Sequence, residues 1–182
     1  MKQKDPVKKI RSKVIYKSRA ATVLMDTFRF PDGRTFTRET IIHPVSVVIV
    51  PILPGNKLLL IRQFRHALGK TIYELPAGTT EKGEPPLKCA KRELAEETGH
   101  SAAGWERLYS FYPAPGISTE KMVMYRATGV RPLRKTVSMD ADEIITPVPV
   151  SYAQAMQLVR KNQITDAKTV IGILLGLKKV KW

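Results

Sequence analysis

Cysteine is almost missing from these 182 residues. Cys89 stands alone, which excludes an internal disulfide and any zinc site built on paired cysteines, and suits a reducing cytoplasm. Acids are scarce as well, 16 against 31 Lys and Arg, for a net charge of +15. No apolar run reaches the ~18 residues that a membrane span needs. The basic start MKQKDPVKKIRSKVIYKSR lacks the apolar stretch of a signal peptide, so neither export nor a membrane partner is expected. No Pro-, Gly- or Ser-rich stretch is long enough for a linker and no internal repeat is visible, so residues 1–182 read as one domain with a single core.

The positive charge admits two readings. One is a phosphate-rich partner drawn by electrostatics; the other is a solvated basic surface that serves solubility. Seven of the basic residues fall in the first 17 positions. No helix-turn-helix, zinc finger or alternation of aromatic and basic residues accompanies them, and a nucleic-acid partner is therefore not expected.

Strand chemistry dominates the first 76 residues. Segments 10–16, 21–30, 35–42 and 45–52 carry β-branched and aromatic residues, punctuated by Pro31-Asp32-Gly33 and Pro54-Gly55-Asn56. A strand over 57–63 follows the second turn closely enough to form a hairpin with 45–52. Over 85–97 the period changes to that of a helix: Leu87, Ala90 and Leu94 form its apolar stripe, Glu84 stands where a first-turn acid is favoured, and Gly99 can close the end. Further strands are predicted over 105–112, 122–127 and 144–150. Helices follow over 151–161 and 166–179, each opened by a residue suited to capping. Strands mixed with three helices imply a sheet covered by helices.

The stretch 78–99, GTTEKGEPPLKCAKRELAEETG, is acidic inside a basic chain, holding five of the sixteen acids. At ~100° per residue, Glu93, Glu96 and Glu97 share one helix face. Three carboxylates on one face repel unless a cation neutralises them, and hard divalent ions accept oxygen ligands from carboxylates and phosphates alike. A solvated acidic face is the plain alternative. The spacing argues against it. Gly78, Glu84, Arg92, Glu93, Leu94, Glu96, Glu97 and Gly99 resemble the signature of the Nudix hydrolases at every fixed place except the last, where His100 replaces an aliphatic residue. His100, just past a helix end, reads as a surface or capping residue.

The resemblance implies an α+β fold, a Nudix-type α/β/α sandwich with a mixed sheet between helices, preceded by an antiparallel β region over 1–42. It implies Glu93 and Glu97 as principal metal ligands, Glu96 as a further ligand or water-orienting carboxylate, and the Ala77 carbonyl as another donor, with Mg²⁺ or Mn²⁺ as the ion. Arg92 would pin Glu84 or Glu96, and Gly78 would let backbone approach closely. Arg62-Gln63-Phe64-Arg65, Tyr73-Glu74-Leu75-Pro76-Ala77-Gly78, Pro113-Ala114-Pro115-Gly116 and Glu120 are similar to the ADP-ribose pyrophosphatase branch, which also acts on other nucleoside diphosphate sugars. Asp140-Ala141-Asp142-Glu143 resembles that branch's acidic loop, making Glu143 and Asp142 candidates for the general base, with Glu120 as rival.

Arg65 is the first candidate for a diphosphate contact, since its planar fork matches phosphate oxygens. Arg38, Phe28, Glu74, Pro115 and Glu120 complete the substrate candidates, with Phe30 and Phe36 as further stacking candidates for the base. The same resemblance implies a homodimer in which the 1–42 region takes part. A triphosphate, dinucleotide or capped RNA is the alternative substrate, and a non-catalytic nucleotide-binding module the alternative class; the latter would have lost a box carboxylate, and none is lost.

Overall fold

The computed structural model describes residues 6–18, 21–134 and 144–176. Two compact units emerge: one comprises Met1–Pro44 with Ala114–Lys121, the other Val45–Pro113 with Met122–Trp182.

The first unit is a three-stranded antiparallel sheet of β1 (Lys8–Lys17), β2 (Thr22–Arg29) and β3 (Thr35–Ile42), in the order β1-β2-β3. Two register shifts in β1 interrupt the simple alternation of its side chains. Ile10, Val14, Ile15 and Tyr16 are all exposed on it. On β2, Asp26 is buried and accepts hydrogen bonds from Ser12 Oγ (2.6 Å) and Thr40 Oγ1 (2.9 Å), tying the middle strand to both neighbours. The segment 114–121 closes this unit. Ile41 donates to the Ile117 carbonyl at 2.8 Å, Thr119 donates to the Ile41 carbonyl at 3.0 Å, and His43 donates to Thr119 Oγ1 at 2.9 Å.

The second unit is built on a mixed sheet. Its strands are β4 (Ser46–Leu53), β5 (Lys57–Arg65), β6 (Lys70–Glu74), β7 (Ala77–Thr79), β9 (Gly104–Phe111), β10 (Met122–Thr128) and β12 (Ile145–Ser151), while β8 (His100–Ser101) and β11 (Arg131–Pro132) form a small separate ladder. The main order is β12-β5-β4-β10-β9, with β6 on β5 and β7 on β4. β4 and β10 run parallel and the remaining pairs are antiparallel. The hairpin expected between β4 and β5 forms, turning through Gly55 at φ 73°.

β4 explains the layers. It lies inside the sheet and is buried along both faces, which is why it is a near-continuous run of Val and Ile rather than an alternating one. Val47 and Ile49 pack with Cys89, Ala90 and Leu94 of α1 (Pro86–Thr98), whereas Val48 and Val50 pack with Ala155 of α2 (Tyr152–Arg160) and Ile173 of α3 (Ala167–Gly176). One helix therefore covers one face and two cover the other, as the α/β/α expectation has it. Each fully buried Val, Leu or Ile among them contributes roughly 1.5–3 kcal/mol of burial.

Local chemistry sets the ends. Ser151 and Gln154 form a reciprocal capping box that opens α2. Pro147 and Pro149 lie on β12, an edge strand, where a missing donor costs no ladder bond. No helix among the described residues is long and apolar enough to cross a membrane.

Candidate active site

Helix α1 begins where two prolines fix the backbone: Pro85 is the N-cap, with no side-chain cap, and Pro86 opens the helix. Gly99 closes it at φ 68° and donates to the Ala95 carbonyl. Two details differ from the sequence reading. Glu84 precedes the N-cap rather than sitting in the first turn, and it acts through its side chain, accepting from Glu81 N–H at 3.1 Å and from Arg92. Leu87 is 37% exposed, while Ala90 and Leu94 of the expected stripe are buried together with Cys89, Glu97 and Thr98. The face that packs on the sheet is thus rotated toward the carboxylates, and it takes Glu97 with it.

Arg92 is the hub of the cluster. Its Nε and Nη2 reach Glu84 at 3.2 and 3.1 Å, its Nη1 lies 2.8 Å from both Glu93 Oε1 and Glu96 Oε2, and its Nη2 also meets the Thr79 carbonyl at 3.3 Å. Hydrogen bonding from Arg92 outweighs burial and holds the Glu84 carboxyl down at about 2. Burial, then the nearby Glu93 charge, pushes the Cys89 thiol up to about 12 and keeps it protonated.

Backbone fixes the other two carboxylates. Glu97 is 3% exposed and accepts the Ala77 N–H at 3.0 Å. Glu93 lies so close over Gly78 that a Cβ there would stand 2.6 Å from its Cγ and nearer still to its carboxylate. Gly78 admits this close approach of the Glu93 side chain.

Behind Ala77 lies a second charged group that the sequence reading caught only in part. Arg65, at the end of β5, donates from Nε and Nη2 to the two oxygens of Glu74 at 2.6 and 2.7 Å. Glu74 is 1% exposed and also pairs with Lys168 Nζ. Burial pushes its pKa up, but the Arg65 hydrogen bonds and the Lys168 charge outweigh this and leave it lowered. Hydrogen bonding to Glu74 raises the pKa of Arg65, helped by the charges of Glu97 and Asp166. Asp166 caps α3 by accepting Thr169 N–H at 3.0 Å, and Thr169 Oγ1 accepts Leu75 N–H at 2.8 Å. Asp166 was legible as a cap. Lys168 was missed, although a lysine in the first turn of a helix is itself a signal, since it opposes the helix dipole.

The first unit holds other candidates. Phe28 stacks on Phe36 with centroids 5.2 Å apart at 16°, Phe30 tilts against Phe36 at 4.9 Å, and the Arg38 guanidinium lies 5.5 Å from the Phe36 centroid. Pro115 is exposed in the turn of segment 114–121. Glu120 Oε1 lies 3.8 Å from His43 Nδ1. Asp140, Asp142 and Glu143 lie outside the described residues.

Residues 42–170 match the model of the NUDIX domain, which spans more than half of the chain. The chain belongs to the Nudix family. Its Nudix relatives match along most of their length. An ADP-ribose pyrophosphatase of Bacillus subtilis is 32% identical over 91% of this chain and 90% of its own, and one of Mycobacterium tuberculosis is 32% identical over 91% and 80%. A methanol dehydrogenase activator of Bacillus methanolicus is 36% identical over 91% and 90%. A crystal structure described as an ADP compounds hydrolase superposes with a TM-score of 0.83 at 25% identity, covering 96% of this chain and 94% of the other.

Nudix hydrolases generally use divalent metal ions, and the donor set on α1 fits one. It consists of hard oxygens only, and the single charge of Arg92 leaves Glu84, Glu93 and Glu96 in excess before Glu97 is added. Among the described residues no three potential ligands are already gathered around one point; Glu93 and Glu96 both turn toward Arg92.

Proposed function

We propose that this Nudix hydrolase cleaves the pyrophosphate link of ADP-ribose or a related nucleoside diphosphate sugar, giving a nucleoside monophosphate and a sugar phosphate, with Mg²⁺ or Mn²⁺ as its ion. The observation that carries the reading is the complete set of box carboxylates on one face of α1, organised by Arg92 and by the backbone of 77–78. The ADP-ribose pyrophosphatase names of two relatives support the substrate class.

Glu93 and Glu97 would hold the ion, with Glu96 and the Ala77 carbonyl as further oxygen donors. The ion supplies charge neutralisation at phosphate oxygens and a more acidic bound water. Arg92 keeps Glu84, Glu93 and Glu96 oriented. Arg65, oriented by Glu74, binds the diphosphate. Phe28 is the candidate for stacking on the base, and Arg38 and Pro115 are further substrate-binding candidates. The proton of the attacking water passes to a loop carboxylate, Glu143 or Asp142, with Glu120 as the other candidate. We place the protein in the cytoplasm, as its one buried, protonated cysteine suits. We assign dimer formation to the 1–42 region, as the exposed apolar residues of β1 favour.

Incubation with Mg²⁺ and ADP-ribose, GDP-mannose, a nucleoside triphosphate or 5′-triphosphorylated RNA tests the assignment. Nucleoside monophosphate from the first two is expected. Turnover of RNA alone refutes the substrate class.

A further inference from the structure

Lys168 breaks two local rules at once. It occupies the first turn of α3, where the helix dipole disfavours a cation, and it is 9% exposed, although lysine is almost never buried without a partner. Sites where sequence and structure disagree in this way are where function overrides stability.

The partners define what the ammonium does. Lys168 Nζ sits on Glu74 Oε2 and 3.1 Å from Asp166 Oδ1. Glu74 Oε2 also accepts Arg65 Nη2, while Oε1 accepts Arg65 Nε. One oxygen is therefore shared between two cations. The terminal torsion of a glutamate is broad, so a carboxylate held only by the arginine fork could swing together with it. Lys168 ties the shared oxygen to α3, and α3 is itself fastened to the residue that follows β6, through Leu75 N–H donating to Thr169 Oγ1. Arg65 is then left with its Nη1 edge, which has no acceptor among the described residues, on a side chain 38% exposed. A half-exposed guanidinium with two donors anchored on a buried carboxylate and Nη1 not engaged by the described residues is prepared for a phosphate oxygen.

Resting on the diphosphate-hydrolase reading above, we propose that Lys168 is a positioning residue, fixing the Glu74 carboxylate so that Arg65 presents its free edge to the diphosphate in one orientation. It acts through two other side chains and does not itself touch substrate.

The test uses the full chain carrying Lys168→Met, which keeps length and removes charge. The Nε–Hε proton resonance of Arg65, assigned by its loss in Arg65→Lys, reports the anchoring directly. Its exchange with solvent is expected to accelerate by roughly tenfold or more in Lys168→Met, the loss expected for one charge-assisted hydrogen bond. With ADP-ribose, KM should rise about tenfold while kcat stays within about threefold. On an Arg65→Gln background, Lys168→Met should change KM no further, because the residue through which it acts is gone.

Unchanged Arg65 exchange in a folded Lys168→Met protein overturns the proposal, as does a full additional loss on the Arg65→Gln background, which is what a merely structural lysine would give. If Lys168→Met fails to fold, Lys168→Gln carries the same measurements with the same deciding outcomes. If the wild-type protein turns over no ADP-ribose while Arg65 exchange responds as expected, the substrate assignment falls and the positioning role stands.

Discussion

Adding a single methyl group to Gly78 tests whether the Glu93 carboxylate must lie where it does. The new Cβ would stand 2.6 Å from Glu93 Cγ and closer to the carboxylate, whereas ordinary contact begins at 3.4 Å; Glu93 must therefore retreat by about 1 Å or more. It cannot retreat without disturbing Arg92 Nη1, 2.8 Å away, which also holds Glu96. Crowding of this kind costs about 1–3 kcal/mol of stability, and a 1 Å misplacement in a catalytic constellation costs about 10²-fold in rate. Gly78→Ala should thus lower kcat/KM for ADP-ribose by about two orders of magnitude and weaken Mn²⁺ binding measured by calorimetry, with a modest fall in Tm. Gly83→Ala is the control: it meets open space but sits at φ 78°, so it should cost about 1 kcal/mol through backbone strain and leave turnover intact. Wild-type kcat/KM in Gly78→Ala, or an equal loss in Gly83→Ala, would refute the reasoning.

Glu97→Gln can still accept the Ala77 N–H, so Tm should hold while turnover falls by orders of magnitude; wild-type turnover would remove Glu97 from the metal platform. Glu84 is held at about 2 in the folded chain against an ordinary 4.5, so its pairing stabilises the fold above pH 4.5 and that contribution is lost as pH falls toward 2. Glu84→Gln should accordingly flatten the acid limb of a plot of Tm against pH, and an unaltered limb counts against the Arg92 pairing. In Gly172→Ala the added Cβ overlaps Leu75 and approaches Val50 Cγ2 to 3.2 Å; the buried Leu75 side chain or α3 must shift, lowering stability by about 1–3 kcal/mol in a denaturant titration. An unchanged midpoint there would show that this packing can relax.

Most of the long elements could be read from the chain. The strand over 35–42 has the predicted ends, and α1 differs by one residue at each end because its start is set by Pro85-Pro86 and its end by Gly99. Four short strands, β6, β7, β8 and β11, could not be read. β6 is five residues with exposed charge at its start, and β7 is Ala-Gly-Thr, whose weak strand preference is overcome only by pairing with β4. On α1 the apolar stripe suggested Leu87, yet packing chose a face that buries Glu97, since hydrophobicity cannot announce that a carboxylate will be received by a backbone N–H from twenty residues away. Arg92 beside Glu84 or Glu96 was implied by the resemblance to the Nudix signature. Lys168 meeting Glu74 across 94 positions was not, because only the folded sheet brings α3 over β6.

The segment 114–121 belongs with residues 1–44 rather than with its chain neighbours, and this sets an order on biosynthesis. The amino-terminal strands leave the ribosome first, yet the stretch that bonds to Ile41 and His43 follows some 76 positions later. Until then the nascent sheet lacks its last backbone partners. A product cut off before Ala114 therefore ends with those amides and carbonyls open to other chains, a natural point of entry for chaperone binding or misassembly.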